Sequence, residues 1–291
     1  MHVLLAIIVV TLVGCNNEKV LPPPTEAEFS TGAFSVPFPS DVFMTYAALN
    51  EFALIDGGAP GAVGFTNTPI LPSADDASDT GDPVVSQGFL DGFSVTSPMQ
   101  LDFTHNLDPS SVVGGQSVRV FEIAISPPSA SATNPAIGVP VAMPAQIIRE
   151  LQADSDYTVT MARSVGYQMV VRPRVPWPAS DNTSLGGASR GIMVVVTNDV
   201  LDFRGNPVIR SDQYDRMANG IPSATGVASI DGFADAVGAM VGNSLLLLSG
   251  QGINPADVVV TNPFTCQSVN DVLDTAVALT VAQAPFATTQ A

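Results

Sequence analysis

The chain has 291 residues, and its 27 acidic side chains face ten basic ones, Lys19 being the sole lysine, for a formal charge of −17. A field of that sign repels phosphates, and no basic patch with interleaved aromatics offsets it, so the composition argues against nucleic acid and anionic lipid headgroups as partners. Two cysteines, Cys15 and Cys266, are too few for a disulfide framework, and the fold must stand on its core.

Residues 1–14, MHVLLAIIVVTLVG, form an apolar run too short to span a bilayer, with Cys15 directly after it. This reads as an export signal. The ending Leu12-Val13-Gly14-Cys15 resembles a bacterial lipobox, which implies cleavage before Cys15, a diacylglyceryl thioether on its sulfur and a membrane anchor through that lipid. Asn16 suits sorting to the outer membrane. An ordinary signal peptide is the alternative, because only His2 stands where an n-region carries Lys or Arg. Residues 15–33 read as a flexible tether, with the proline-rich LPPPTE at 21–26.

From 34 to 265 the pattern is mainly β. MQLDFT at 99–104 alternates Met99, Leu101 and Phe103 against polar neighbours, the period of a half-buried strand. SVRVFEIAI at 117–125 and DYTVTMA at 156–162 are strand-like, and YQMVVR at 167–172 puts Tyr167, Met169 and Val171 on one face. IMVVV at 192–196 is apolar throughout, as a central strand covered on both sides must be. Turn clusters between these segments space them as in a β-sandwich, with room for two subdomains. Helical spacing then takes over at 230–249, where Ile230, Phe233, Ala234, Val237, Val241, Leu245 and Leu248 form one face, Asp231 sits in the first turn and Gly250 ends the run. Its Gly238 and Gly242 have the spacing of a membrane dimerisation pair, but Asp235 and the short run make close packing on the sheet the better account. A second helix is expected from Ser268, with Val269, Val272, Leu273, Ala276 and Leu279 as its stripe, inside a final segment at 266–291 that ends as a linker.

GASRG at 187–191 has the spacing of a nucleophile elbow. An elbow needs a strand before the serine and a helix after it. Here Ser189 follows a polar loop and precedes the strand at 192–196, and the one histidine outside the signal, His105, comes before it rather than after. The reading is that no residue of this chain is catalytic. Asp75, Asp76, Asp79 and Asp82 in ADDASDTGDP are the only candidates for Ca²⁺ ligands, and their spacing lacks the EF-hand pattern and its closing Glu, so a solvated loop is the preferred account. No dinucleotide or P-loop glycine pattern is present, and no cofactor is expected.

FSVPFPSDVFM at 34–44, LDGFSVTSPMQLDF at 90–103, LDPSSV at 107–112, SVRVFE at 117–122, VVVTNDVLDFRGNPV at 194–208 and FTCQSVNDVL at 264–273 resemble, in order, the N-terminal domain of the bacterial virulence-factor lipases. That resemblance implies an immunoglobulin-like β-rich region preceding an α/β-hydrolase domain that carries the catalytic serine, in a lipoprotein at the cell surface. GASRG lies in what looks like an insertion outside the family's catalytic part, so no catalytic residue carries over. Cys266 stands where the family tends to have threonine. The chain then reads as the non-catalytic, anchoring and presenting part of a surface lipase, its partners being the membrane and a downstream hydrolase domain. A free-standing surface lipoprotein with an adhesive or ligand-binding immunoglobulin-like module is the alternative.

Overall fold

The computed structural model describes residues 22–31, 35–42, 92–126, 143–162, 166–180 and 189–269. Cys15, the Asp75–Asp82 loop and nearly all of the expected second helix lie outside them. In chain order the elements are β1 (Glu26–Ala27), β2 (Met99–Asp102), β3 (Val118–Ser126), β4 (Met143–Glu150), β5 (Tyr157–Met161), β6 (Gln168–Pro173), β7 (Ser189–Thr197), β8 (Ile209–Arg210), α1 (Asp212–Ala218), α2 (Ala228–Ser249) and β9 (Val258–Thr265). The chain is mainly β, in a four-stranded sheet of order β4-β3-β7-β9, a three-stranded sheet β2-β6-β5 and the short parallel pair β1-β8.

Each strand follows from its side-chain period. In the three-stranded sheet, Met99 pairs with Val171 and Leu101 with Met169, all fully buried, while Gln100, Asp102 and Gln168 occupy the other face. The four-stranded sheet is antiparallel throughout, and from Ile192 to Val196 its central strand β7 is buried on both faces. One face meets the smaller sheet: the Tyr157 hydroxyl donates to the Val118 carbonyl at 3.1 Å, and Asn262 reaches the Met99 sulfur at 3.6 Å. The opposite face meets the helices, with Tyr214 of α1 at 2.9 Å from the Thr261 hydroxyl and α2 lying against β4 and β9.

The outer edge of β9 is closed one position at a time. The Thr261 amide donates to the Tyr214 hydroxyl at 3.0 Å, Pro263 has no amide to offer, and the Thr265 amide donates to Asp41 Oδ1 at 2.7 Å. An open strand edge invites another strand, and these three devices remove the invitation.

Four expectations are corrected. The tether is shorter than 15–33, because Thr25, Ala27 and Phe29 alternate into the core and β1 pairs with β8. Tyr167 sits in a turn with 43% of its surface exposed, so only Met169 and Val171 of that trio face inward. Ile230 is 46% exposed, although the other six residues of its predicted stripe are buried. Finally, Gly238 and Gly242 face away from the sheet. A Cβ on Gly238 would meet Met217 of α1 at 3.5 Å, and one on Gly242 would meet nothing within 4 Å.

Candidate functional site

Ser189 opens β7, paired with Ile125, and the chain runs from it into the sheet rather than into a helix. Gly191 has a packing reason: a Cβ there would lie 2.3 Å from Ile125 Cδ1 and 2.5 Å from the Phe264 carbonyl oxygen. The motif's last glycine thus serves close strand packing. His105 lies in the loop after β2, its Nδ1 at 3.1 Å from the Thr104 hydroxyl. That loop joins residues 201–203 through Leu107, which bridges to Asp202, and through the Phe203 amide, which donates to Asn106. Those residues follow the far end of β7, which at strand rise puts His105 on the order of 25 Å from Ser189. The fold therefore does not bring together a serine and a histidine that could exchange a proton.

Near the Ser189 end of the sheet lies a buried polar cluster that the sequence did not reveal. Glu122 of β3, with its side chain 3% exposed, takes Arg149 Nε at 2.8 Å and Arg190 Nη1 at 2.6 Å, and Arg149 continues to Asp156 at 3.3 Å. Ser180 accepts from the Arg190 amide at 3.1 Å and donates to the Cys266 carbonyl. Asp41 is fully buried, accepts from the Thr265 amide and takes the Thr265 hydroxyl at 2.9 Å. Burial pushes its pKa up to about 7, against the lowering effect of the Thr265 hydrogen bonds. Burial, with Asp41 and Glu122 nearby, also pushes the Cys266 thiol well up. Cys266 is therefore a packed thiol rather than a nucleophile, and being fully buried it does not pair between molecules. The cluster does structural work: each carboxylate is answered by a cation or a donor, and no group in it is both reactive and open to solvent.

A groove of about 440 Å³ lies between α1, the linker after it and the first half of α2, and a second hollow of about 690 Å³ lies on the three-stranded sheet, lined by Gln100, Thr160, Met161, Gln168, Val170 and Arg172. Gln213, Arg216, Met217, Ile221 and Pro222 line the groove on one side, and Ala234, Asp235, Gly238 and Gly242 of α2 on the other. The linker is held by α2's first two turns. Asp231 takes the amides of Thr225 and Gly226 and the hydroxyl of Ser223, and Asp235 takes the Ser223 amide at 2.8 Å. The Thr225 and neighbouring hydrogen bonds bring the Asp231 pKa down to about 2. No cluster of three or more metal-ligating side chains occurs among the described residues.

A family model for the bacterial virulence factor lipase N-terminal region matches residues 36–290, nearly the whole chain. The chain belongs to that family. Neither a curated protein nor a solved structure matches it.

Proposed function

We propose that this chain is the non-catalytic N-terminal region of a bacterial surface lipase, held to the outer membrane by a lipid on Cys15 and presenting an α/β-hydrolase domain that cleaves lipid esters. The family match over 36–290 carries the reading. It is supported by the position of Ser189, which opens a strand at the far end of β7 from His105. On this reading the protein is extracellular, its β-rich region follows the immunoglobulin-like plan the resemblance implies, and the described strands and helices form the base from which the catalytic domain projects.

The experiment is a pair of measurements on the full-length enzyme. Cys15→Ala should move it from the membrane fraction to the soluble one and abolish incorporation of radiolabelled palmitate. A fluorophosphonate probe should label a serine beyond residue 291 and leave Ser189 untouched, and Ser189→Ala should retain wild-type ester hydrolysis. Loss of hydrolysis in Ser189→Ala with a folded protein would place the chemistry in this chain and sink the reading.

A further inference from the structure

The pleat of the three-stranded sheet sends Met99, Leu101, Met169 and Val171 into the core and turns Gln100, Thr160, Gln168, Val170 and Arg172 the other way, around the hollow of about 690 Å³. Register sets their places. Gln100, Val170 and Thr160 stand side by side across β2, β6 and β5, and Gln168 and Arg172 flank Val170 along β6. Val170 is only 3% exposed although it faces away from the core, and with Ala162 it gives the hollow an apolar floor. The rim is polar and unspent. The side chains of Gln100, Thr160 and Arg172 make no hydrogen bond or ion pair within the protein, and Gln168 commits one amide N–H to Asp102 at 2.9 Å while its carbonyl stays open. Arg172 differs here from every other described arginine, each of which donates to a carboxylate or a carbonyl or lies over an aromatic ring.

We infer that this face binds a neutral saccharide. Groups on adjacent strands lie about 5 Å apart, comparable to the separation of hydroxyls across a hexose ring, and the rim supplies both of the partners that a hydroxyl needs. Arg172 and the Gln100 amide donate, the Gln168 carbonyl accepts, and the Thr160 hydroxyl does either. The C–H face of the ring lies on Val170 and Ala162, where its burial releases water. Other ligand classes meet an obstacle here. An anion would find Arg172 as the one cation among the described lining residues, with Asp102 on the same face of the sheet and a charge of −17 behind it. A lipid chain would strip water from four polar side chains and leave them unpaired. Interfaces with proteins draw on Trp and Tyr as anchors, whereas no aromatic residue lines the hollow among the described residues, and its size is that of a small-molecule site. The inference stands apart from the lipase reading and gives the sheet an adhesive role beside it.

The test is native electrophoresis of the 291-residue chain carrying Cys15→Ala, through gels that hold dextran, galactomannan, xyloglucan, mannan or the acidic polygalacturonate, each run compared with the same protein in a plain gel. This parent chain should be retarded by at least one of the neutral polysaccharides. Arg172→Ala and Gln100→Ala should each raise the dissociation constant for that polysaccharide about tenfold, at an unchanged melting temperature. Arg216→Ala, which removes the same charge from α1 on the helix side of the molecule, should bind as the parent does. If one of the two sheet variants melts early, the other decides. Free passage of the parent through every neutral gel overturns the inference. So does retardation that Arg172→Ala and Gln100→Ala leave intact, or that Arg216→Ala weakens as much as they do, because the contact then lies elsewhere or is one of charge alone. Retardation confined to polygalacturonate and removed by about 0.2 M NaCl would make this a site for anions and overturn the neutral ligand.

Discussion

Single residues carry two of the tightest constraints in this fold. Asp41 is an acid whose ordinary pKa of 3.8 is raised to about 7 by burial. Between those values the folded state keeps a proton that the unfolded state gives up, so stability is highest below about pH 4 and falls as pH rises to about 7, by up to about 4 kcal/mol. Asp41→Asn retains an acceptor for the Thr265 amide and a partner for its hydroxyl, and removes the titration. Urea melts should find it close to the wild type at pH 3.5 and increasingly more stable than the wild type from pH 5 to pH 8. A variant less stable than the wild type at pH 8 would mean that the ionised carboxylate is well served where it lies. Gly191 is the second constraint. Ile125 can turn aside, but the Phe264 carbonyl oxygen, 2.5 Å from the would-be Cβ, is backbone in the adjacent strand. Gly191→Ala should cost roughly 1–3 kcal/mol, as overpacking does, and a melting temperature equal to the wild type would show that β7 and β9 can part cheaply. Neither residue could be weighed from sequence. Asp41 and Thr265 are 224 positions apart, and the glycine of GASRG advertised a catalytic turn while serving a strand.

At the level of elements, what the sequence disclosed depended on whether periodicity or context makes the element. β2, β3, β5, β6, β7 and α2 form where alternation or helical spacing predicts them, and the start of α2 is Ala228 rather than residue 230. β4, β9 and α1 carry no such signal. MPAQIIRE in β4 alternates in neither period, and it is a strand because β3 offers it a register with two irregularities. β9 contains Pro263, which argues against a strand until that position is seen to face the sheet's outer edge. α1 is seven residues long, capped by the Ser211 hydroxyl and fixed by the burial of Tyr214 and Met217, and such a length leaves little pattern to detect. The glycines of α2 are legible as a motif, but spacing gives their ridge and not its direction, and they face away from the sheet. Gly242→Ala tests that placement in the 291-residue chain. With open space at the Cβ position, only the propensity difference remains, and the substitution should stabilise the chain by about 0.5–1 kcal/mol. Destabilisation would mean that a neighbour occupies the space.

For the molecule as a whole, a charge of −17 with a sequence pI near 4.1 sets the response to solvent. Only five ion pairs occur among the described residues, so the excess acids mostly repel one another across the surface. Salt screens such repulsion over about 10 Å at 0.1 M, and the melting temperature at pH 7.5 should therefore rise between 10 and 200 mM NaCl; a fall would mean that the ion pairs outweigh the repulsion. The closure of β9 by the opening segment matters in time as well as in space. Asn262 donates to the Pro39 carbonyl and Thr265 to Asp41, across 223 and 224 positions. A ribosome working from the first residue makes one side of these bonds early and the other almost last. Until β9 has emerged, β7 has no partner on that flank and Asp41 lacks its Thr265 donors, so the growing chain cannot complete its core. An incomplete core is what threading through a narrow translocation channel would require of an exported chain, and on the proposed reading the bonds that close the finished region are among the last that the chain can make.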